Sequence, residues 1–234
     1  MPHFYPEKQR EFHGTLDKIA QAVYTPLCDL KVTAWWSKEP LPFAKRRTGK
    51  KMTPKVGDVW GGLFDCAWFN FKGKVPAEGQ GKNVVALIDI SGEGLVVGPK
   101  GEPLQGLTSK NAEWGTHLKG KQVVMITKAA RKGQSVDLWV DGGCNDLFGR
   151  VTGGGQLTLA RLAIRNEELL QLYYDYEILL DLSESLPKDS ARRHQVLKAL
   201  SDVTNMLSDG SDTEVKAART RLAPELAKKG GDPT

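Results

Sequence analysis

Apolar positions recur every three or four residues near the start of the chain. They alternate through its middle and return to the longer spacing towards its end. Phe12, Leu16, Ile19 and Val23 form one stripe, which predicts a helix over residues 6–24 stopped by Pro26. Leu30 to Trp36 reads as a first strand, and "SKEPLPFAKRRTGKKMTPKVGD" as a Pro-rich, basic connection without periodicity. From Trp60 to about Arg165 the pattern is that of strands. "LKVTAWW", "CAWFNFKGKVP", "NVVALIDI", "KQVVMITKA", "QSVDLWVDG" and "GQLTLARLAIR" each fit an extended, partly buried segment. "GEGLVVGPKGEPLQGL" predicts a hairpin turning near Gly101, and the last strand alternates over Leu157, Leu159, Arg161 and Ala163. In "CAWFNFKGKVP" Ala67, Phe69 and Phe71 share one face while Cys66, Trp68 and Asn70 share the other, so both faces call for cover.

Near Asn166 the period lengthens. Leu169, Leu172, Tyr173, Tyr176 and Leu180 mark one face of a helix that Asn166 caps and Pro187 ends. A second helix is expected from about Ser190 to Leu207. A third begins at a Ser211–Glu214 capping box and is ended or kinked at Pro224. Many short strands with little helix between them predict an antiparallel β-sandwich, so the fold class is mainly β with appended α. The expected domains are an N-terminal helix (1–29), the sandwich (30–165), a helical segment (166–228) and a flexible end (229–234).

Composition narrows the function classes. The chain has 234 residues, 40% of them hydrophobic and 26% charged, enough for a sizeable core. No run is long and apolar enough for a membrane span, and the N-terminus lacks a secretory signal. Three widely spaced cysteines fit a reducing compartment, so a cytoplasmic location is expected. Much of the net charge of +5 sits in "KRRTGKKMTPK", residues 45–55. Phosphate contact with nucleic acid is one reading of that tract. A solvated loop is the plainer one, because no aromatic interleaves with the cations and no helical face follows. No nucleic-acid or membrane partner is therefore expected.

Little in the chain resembles a catalytic motif. "GTHLKGK" lacks the hydroxyl residue and the following helix of a phosphate-binding loop. No histidine stands at metal-ligand spacing from another ligand, and no nucleophile elbow is present. Asp141, Asn145 and Asp146 in "DGGCNDLFG" suit Asx-turns better than calcium. Asp89 and Glu93, close in sequence, are the candidate carboxylate pair for acid–base chemistry, with Glu93 better placed at a strand-end turn. Trp68 and Trp139 lie mid-strand and belong to a core, whereas Trp60 and Trp114 adjoin glycines at loop positions. Trp60, Trp114 and Glu93 are thus the candidate carbohydrate-binding residues.

The segment "KVGDVWGGLFDCAWFNFKGKVPAEGQGKNVVALIDISGEGLVVGPKGEPLQGLTS", its lead-in "LKVTAWWSKEPLPF" and the later "LYYDYEILLDLSESLPKDSARRHQVLKAL" carry a further signal. Together they resemble the N-terminal, non-catalytic region of microbial α-mannosidases of glycoside hydrolase family 38. The resemblance implies a galactose-binding-like jelly roll followed by helices. It also implies a parent enzyme that is zinc-dependent, retaining and active on terminal α-mannosides. The family's His-x-Asp metal motif is not found in this sequence. No catalytic or metal residue is therefore carried over, no cofactor is expected in this chain, and zinc belongs to a catalytic domain beyond Thr234. The implied partners are that domain, a further copy in a homo-oligomer and a mannose-containing oligosaccharide. A stand-alone carbohydrate-binding module and, less aptly, a nucleic-acid-binding domain are the alternatives.

Overall fold

The computed structural model describes residues 6–109, 121–145, 153–208 and 210–228. After helix α1 (Pro6–Ala22) come strands β1 (Tyr24–Asp29), β2 (Lys31–Ser37), β3 (Lys50–Met52), β4 (Val59–Gly61), β5 (Cys66–Lys74) and β6 (Val84–Asp89). Next are β7 (Glu93–Val97), β8 (Pro103–Thr108), β9 (Val123–Thr127), β10 (Ser135–Gly143), β11 (Gly155–Gln156) and β12 (Leu159–Arg165). Helices α2 (Glu167–Ser185), α3 (Ala191–Met206) and α4 (Asp212–Ala227) close the series. The chain divides into two compact units, the strands between Thr25 and Arg165 and a helical unit that joins α1 to α2–α4.

In the β unit a four-stranded sheet, β1-β12-β6-β9, faces a six-stranded one, β3-β2-β5-β10-β7-β8, and β11 pairs with β4 as a short ribbon. The pairings β2–β5, β5–β10, β10–β7, β7–β8, β12–β6 and β6–β9 are all antiparallel. This is a jelly-roll sandwich. Its core lies between the sheets, where Ala67, Phe69 and Phe71 of β5 meet Val84, Ala86 and Ile88 of β6 and Ala160 and Leu162 of β12. Each large apolar side chain buried there contributes about 1.5–3 kcal/mol.

Three strands were not foreseen. Tyr24–Asp29 is extended although Pro26 lies within it, because β1 is an edge strand and a missing amide costs least at an edge. Lys50–Met52 in the basic tract pairs with β2, and Val59–Gly61 pairs with β11. In the last strand the inward phase belongs to Ala160 and Leu162, not to Leu159 and Arg161. Leu157 is also buried, but the chain leaves extended pairing between Gln156 and Leu159, which resets the alternation.

The helical unit follows local signals closely. Asn166 accepts the Leu169 amide at 3.1 Å, Ser190 caps α3 and Ser211 caps α4. The Glu214 carboxylate reaches back to the amides of Ser208 and Gly210, both at 3.0 Å. All five residues of the foreseen α2 stripe are buried. Between helices, the Tyr176 and Thr204 hydroxyls lie 2.8 Å apart, and Arg219 binds Asp175 and Glu168. Helix α4 does not end at Pro224 but runs on to Ala227, its last turn held by Arg192 of α3 bound to both the carboxylate and the carbonyl of Glu225. Among the described residues no helix is long and apolar enough to cross a membrane.

Candidate functional site: a basic, tryptophan-lined cleft

Alternation along β2 and β5 decides which side chains leave the core. Val32 and Ala34 point inward with Phe69 and Phe71, so Lys31, Thr33 and Trp35 share the outer face with Trp68, Asn70 and Lys72. The register sets these in rows. Lys31 stands opposite Lys72 and Asp137, Thr33 opposite Asn70 and Trp139, and Trp35 lies between Lys51 and Trp68. A cleft of about 240 Å3 opens over the first two strands, floored by Thr33 and Asn70 and edged by Trp35, Lys31, Lys51, Lys72 and Arg47.

The basic connection covers the neighbouring part of this face. Trp68 donates its indole N–H to the Leu41 carbonyl at 2.7 Å and meets Phe43 edge-on at 5.7 Å. Trp35 and Trp139 stack with centroids 5.3 Å apart. The Arg46 guanidinium lies 3.8 Å from the Phe43 ring centre and 4.7 Å from that of Trp139. Arg47 lies 5.0 Å from Trp139 and 5.8 Å from Trp35. The tract is therefore not simply a solvated loop. Its arginines interleave in space with aromatics that are distant in sequence, each such contact contributing about 0.5–1 kcal/mol at exposed sites.

Asn70 is 5% exposed and donates to Asp137 Oδ1 at 2.6 Å and to the Leu138 carbonyl at 3.1 Å. Lys72 pairs with the other Asp137 oxygen at 3.1 Å. Lys31, Arg47 and Lys51 have no carboxylate partner among the described residues. The cleft thus keeps an excess of positive charge beside an aromatic edge.

The residues chosen from sequence lie elsewhere. Trp60 is 2% exposed, donates to the Ile90 carbonyl at 2.8 Å and packs edge-on to Phe69 at 5.1 Å, so it is a core residue with no face for a sugar. Glu93 is exposed at the start of β7 and accepts from the Asn145 amide at 2.7 Å. Asp89 ends β6 with both carboxylate oxygens engaged, by the Ser91 amide and by Gln122. Trp114 and Asp146 lie outside the described residues. Among those described, no three His, Cys, Asp or Glu side chains converge on a metal position.

Two carboxylates of the β unit are held away from the ordinary carboxylate range. Lys38, the Gly62 amide and the Trp36 indole all donate to Asp65 and hold its carboxyl down at about 2. Asp141 is not in a loop but in β10, between Trp68 and Leu95, and burial pushes it up to about 6. Its folded value lies above the ordinary 3.8, so the folded chain binds this proton more tightly than the unfolded chain. Stability on this account is greatest below about pH 4, falls as the pH rises towards 6 and is level above that. Asp141→Asn is expected to raise the melting temperature at pH 7, with a gain that fades towards pH 4 in thermal melts across that range.

Two antiparallel sheets joined to a helical unit place the molecule among jelly-roll domains with helical extensions. More particularly, the chain belongs to the family described as "Alpha-mannosidase, jelly roll domain", whose model matches residues 26–172. It is similar to alpha-mannosidase 2C1 of Mus musculus, 26% identical over 88% of this chain and 20% of that protein. The Homo sapiens alpha-mannosidase 2C1 is 25% identical over 93% of this chain and 22% of that protein. The chain therefore spans about a fifth of the length of these relatives. Among solved structures, a β-glucosidase from Kluyveromyces marxianus aligns with 63% of this chain and 19% of its own at a TM-score of 0.36 and 12% identity.

Proposed function

We propose that this chain is the N-terminal accessory part of a zinc-dependent, retaining α-mannosidase of glycoside hydrolase family 38, acting in the cytoplasm on terminal α-mannosides. The observation that carries this reading is the alignment of 88% of the chain with one fifth of alpha-mannosidase 2C1. The remaining four fifths of such a protein would hold the nucleophile, the acid–base residue and the metal. The jelly roll and its helices would then act as a scaffold against that catalytic domain and in subunit contacts. Val59 and Phe64 are 70% and 64% exposed, and apolar side chains this open suit burial under a further domain.

Assay of the purified chain on an aryl α-mannoside with added zinc tests the division of labour. The expected result is no turnover above the blank, and turnover would overturn the accessory role. The reading frame of the source DNA is expected to continue past Thr234 into a His-x-Asp motif, and a stop codon there would favour the stand-alone module.

A further inference from the structure

We propose that the cleft over β2 and β5 is a binding site for a phosphorylated monosaccharide, a role distinct from scaffolding. Three features of the cleft support this. Lys31, Lys51 and Arg47 surround it without carboxylate partners among the described residues, and Asp137 beside it is already taken by Lys72 and Asn70. Such a rim is complementary to a dianionic phosphomonoester, to which charge-assisted hydrogen bonds are the strong kind.

The floor adds polar groups that the protein leaves unused. Asn70 is 95% buried, and both its amide protons are committed, to Asp137 and to the Leu138 carbonyl. Its amide oxygen receives no protein donor among the described residues, and the Thr33 hydroxyl makes no bond to protein there. That amide oxygen is not sealed from solvent, so it is open in the cleft to any group that donates to it. Sugar hydroxyls do so, and the Thr33 hydroxyl can either donate to them or accept from them.

The third feature is Trp35. Its ring is 9% exposed and fixed by stacking on Trp139, so it brings an apolar edge to the cleft, against which the C–H side of a sugar can rest. The volume of about 240 Å3 suits one sugar ring with its phosphate and not an extended nucleic-acid strand. Phosphate on the lysines and Arg47, hydroxyls on Thr33 and Asn70, and ring on Trp35 account for every group around the cleft except Lys72, which stays with Asp137.

The experiment is a titration of the 234-residue chain with mannose 6-phosphate, followed by tryptophan fluorescence and calorimetry. Saturable binding is expected, tighter than for mannose or for inorganic phosphate by about tenfold or more, since both halves of the ligand are held. Lys31→Ala/Lys51→Ala changes two exposed side chains and should leave the circular dichroism spectrum unaltered. The double variant is expected to weaken mannose 6-phosphate by about tenfold while leaving mannose unchanged. Thr33→Val, read on the same ligand, is expected to weaken it less. No binding at about 10 mM ligand would overturn the proposal. So would equal affinity for inorganic phosphate, an unaltered affinity in the double variant, or displacement by a single-stranded oligonucleotide at equal concentration. None of these outcomes depends on whether the chain belongs to a mannosidase.

Discussion

Trp60→Ala is expected to destabilise the sandwich by about 3–5 kcal/mol, the usual cost of emptying a large aromatic site in a packed core. Three observations argue for the upper part of that range. The indole is 2% exposed, packs edge-on to Phe69 and donates to the Ile90 carbonyl, so truncation removes packing and leaves that acceptor without its donor. The ribbon that carries Trp60 is short, and its partner strand depends on the same ring. A methyl group at Gly155 would lie 2.3 Å from the Trp60 ring, so the glycine is what allows β11 to lie against it. Urea denaturation is expected to show a large fall in midpoint for Trp60→Ala and a comparable one for Gly155→Ala. Trp60→Phe should recover much of the loss. If Trp60→Ala melted like the parent, the burial of this indole would be refuted.

Trp60 also shows where sequence reasoning loses its hold. Next to Gly61 and Gly62 it looks like a loop residue, but the glycine that explains its burial is Gly155, at the far end of the sandwich sequence. What is local is legible. The alternation of Ala67, Phe69 and Phe71, the stripe of α2 and the caps at Asn166 and Ser211 depend on residues a few positions apart, and the structure keeps them. Strand β1 depends on pairing with β12, more than a hundred residues away, and Pro26 argues against it locally. The cleft is harder still. Trp35, Asn70 and Lys51 each read as ordinary strand or loop residues, and only the β3-β2-β5 order brings them together. A signal was nevertheless present. A strand with Trp68 and Asn70 on its second face needs cover, and the basic connection supplies it through Leu41 and Phe43.

Removing one half of the Arg192–Glu225 pair is the other change with a large expected effect. The two side chains are 6% and 9% exposed, and the guanidinium binds both the carboxylate and the carbonyl of Glu225 at the last turn of α4. That turn already lacks one amide donor because of Pro224. Arg192→Ala would leave a buried carboxylate with Lys228 alone and a carbonyl without its donor, a situation that costs about 3–5 kcal/mol. Replacing both partners, as in Arg192→Met with Glu225→Leu, removes the uncompensated charge and should recover most of the loss, since a desolvated ion pair gains little over apolar packing. The pair also sets an acid limit. Burial pushes the Glu225 carboxyl up, but hydrogen bonds from Lys228 and Arg192 outweigh it and hold the group below its ordinary 4.5. A depressed folded pKa means that this stabilisation is complete above about pH 4.5 and is lost as the pH falls through the folded value. Thermal melts followed by helical circular dichroism at descending pH should therefore show the parent weakening in acid. The double apolar variant should lose less over the same range, and equal acid sensitivity in the two proteins would place the proton elsewhere.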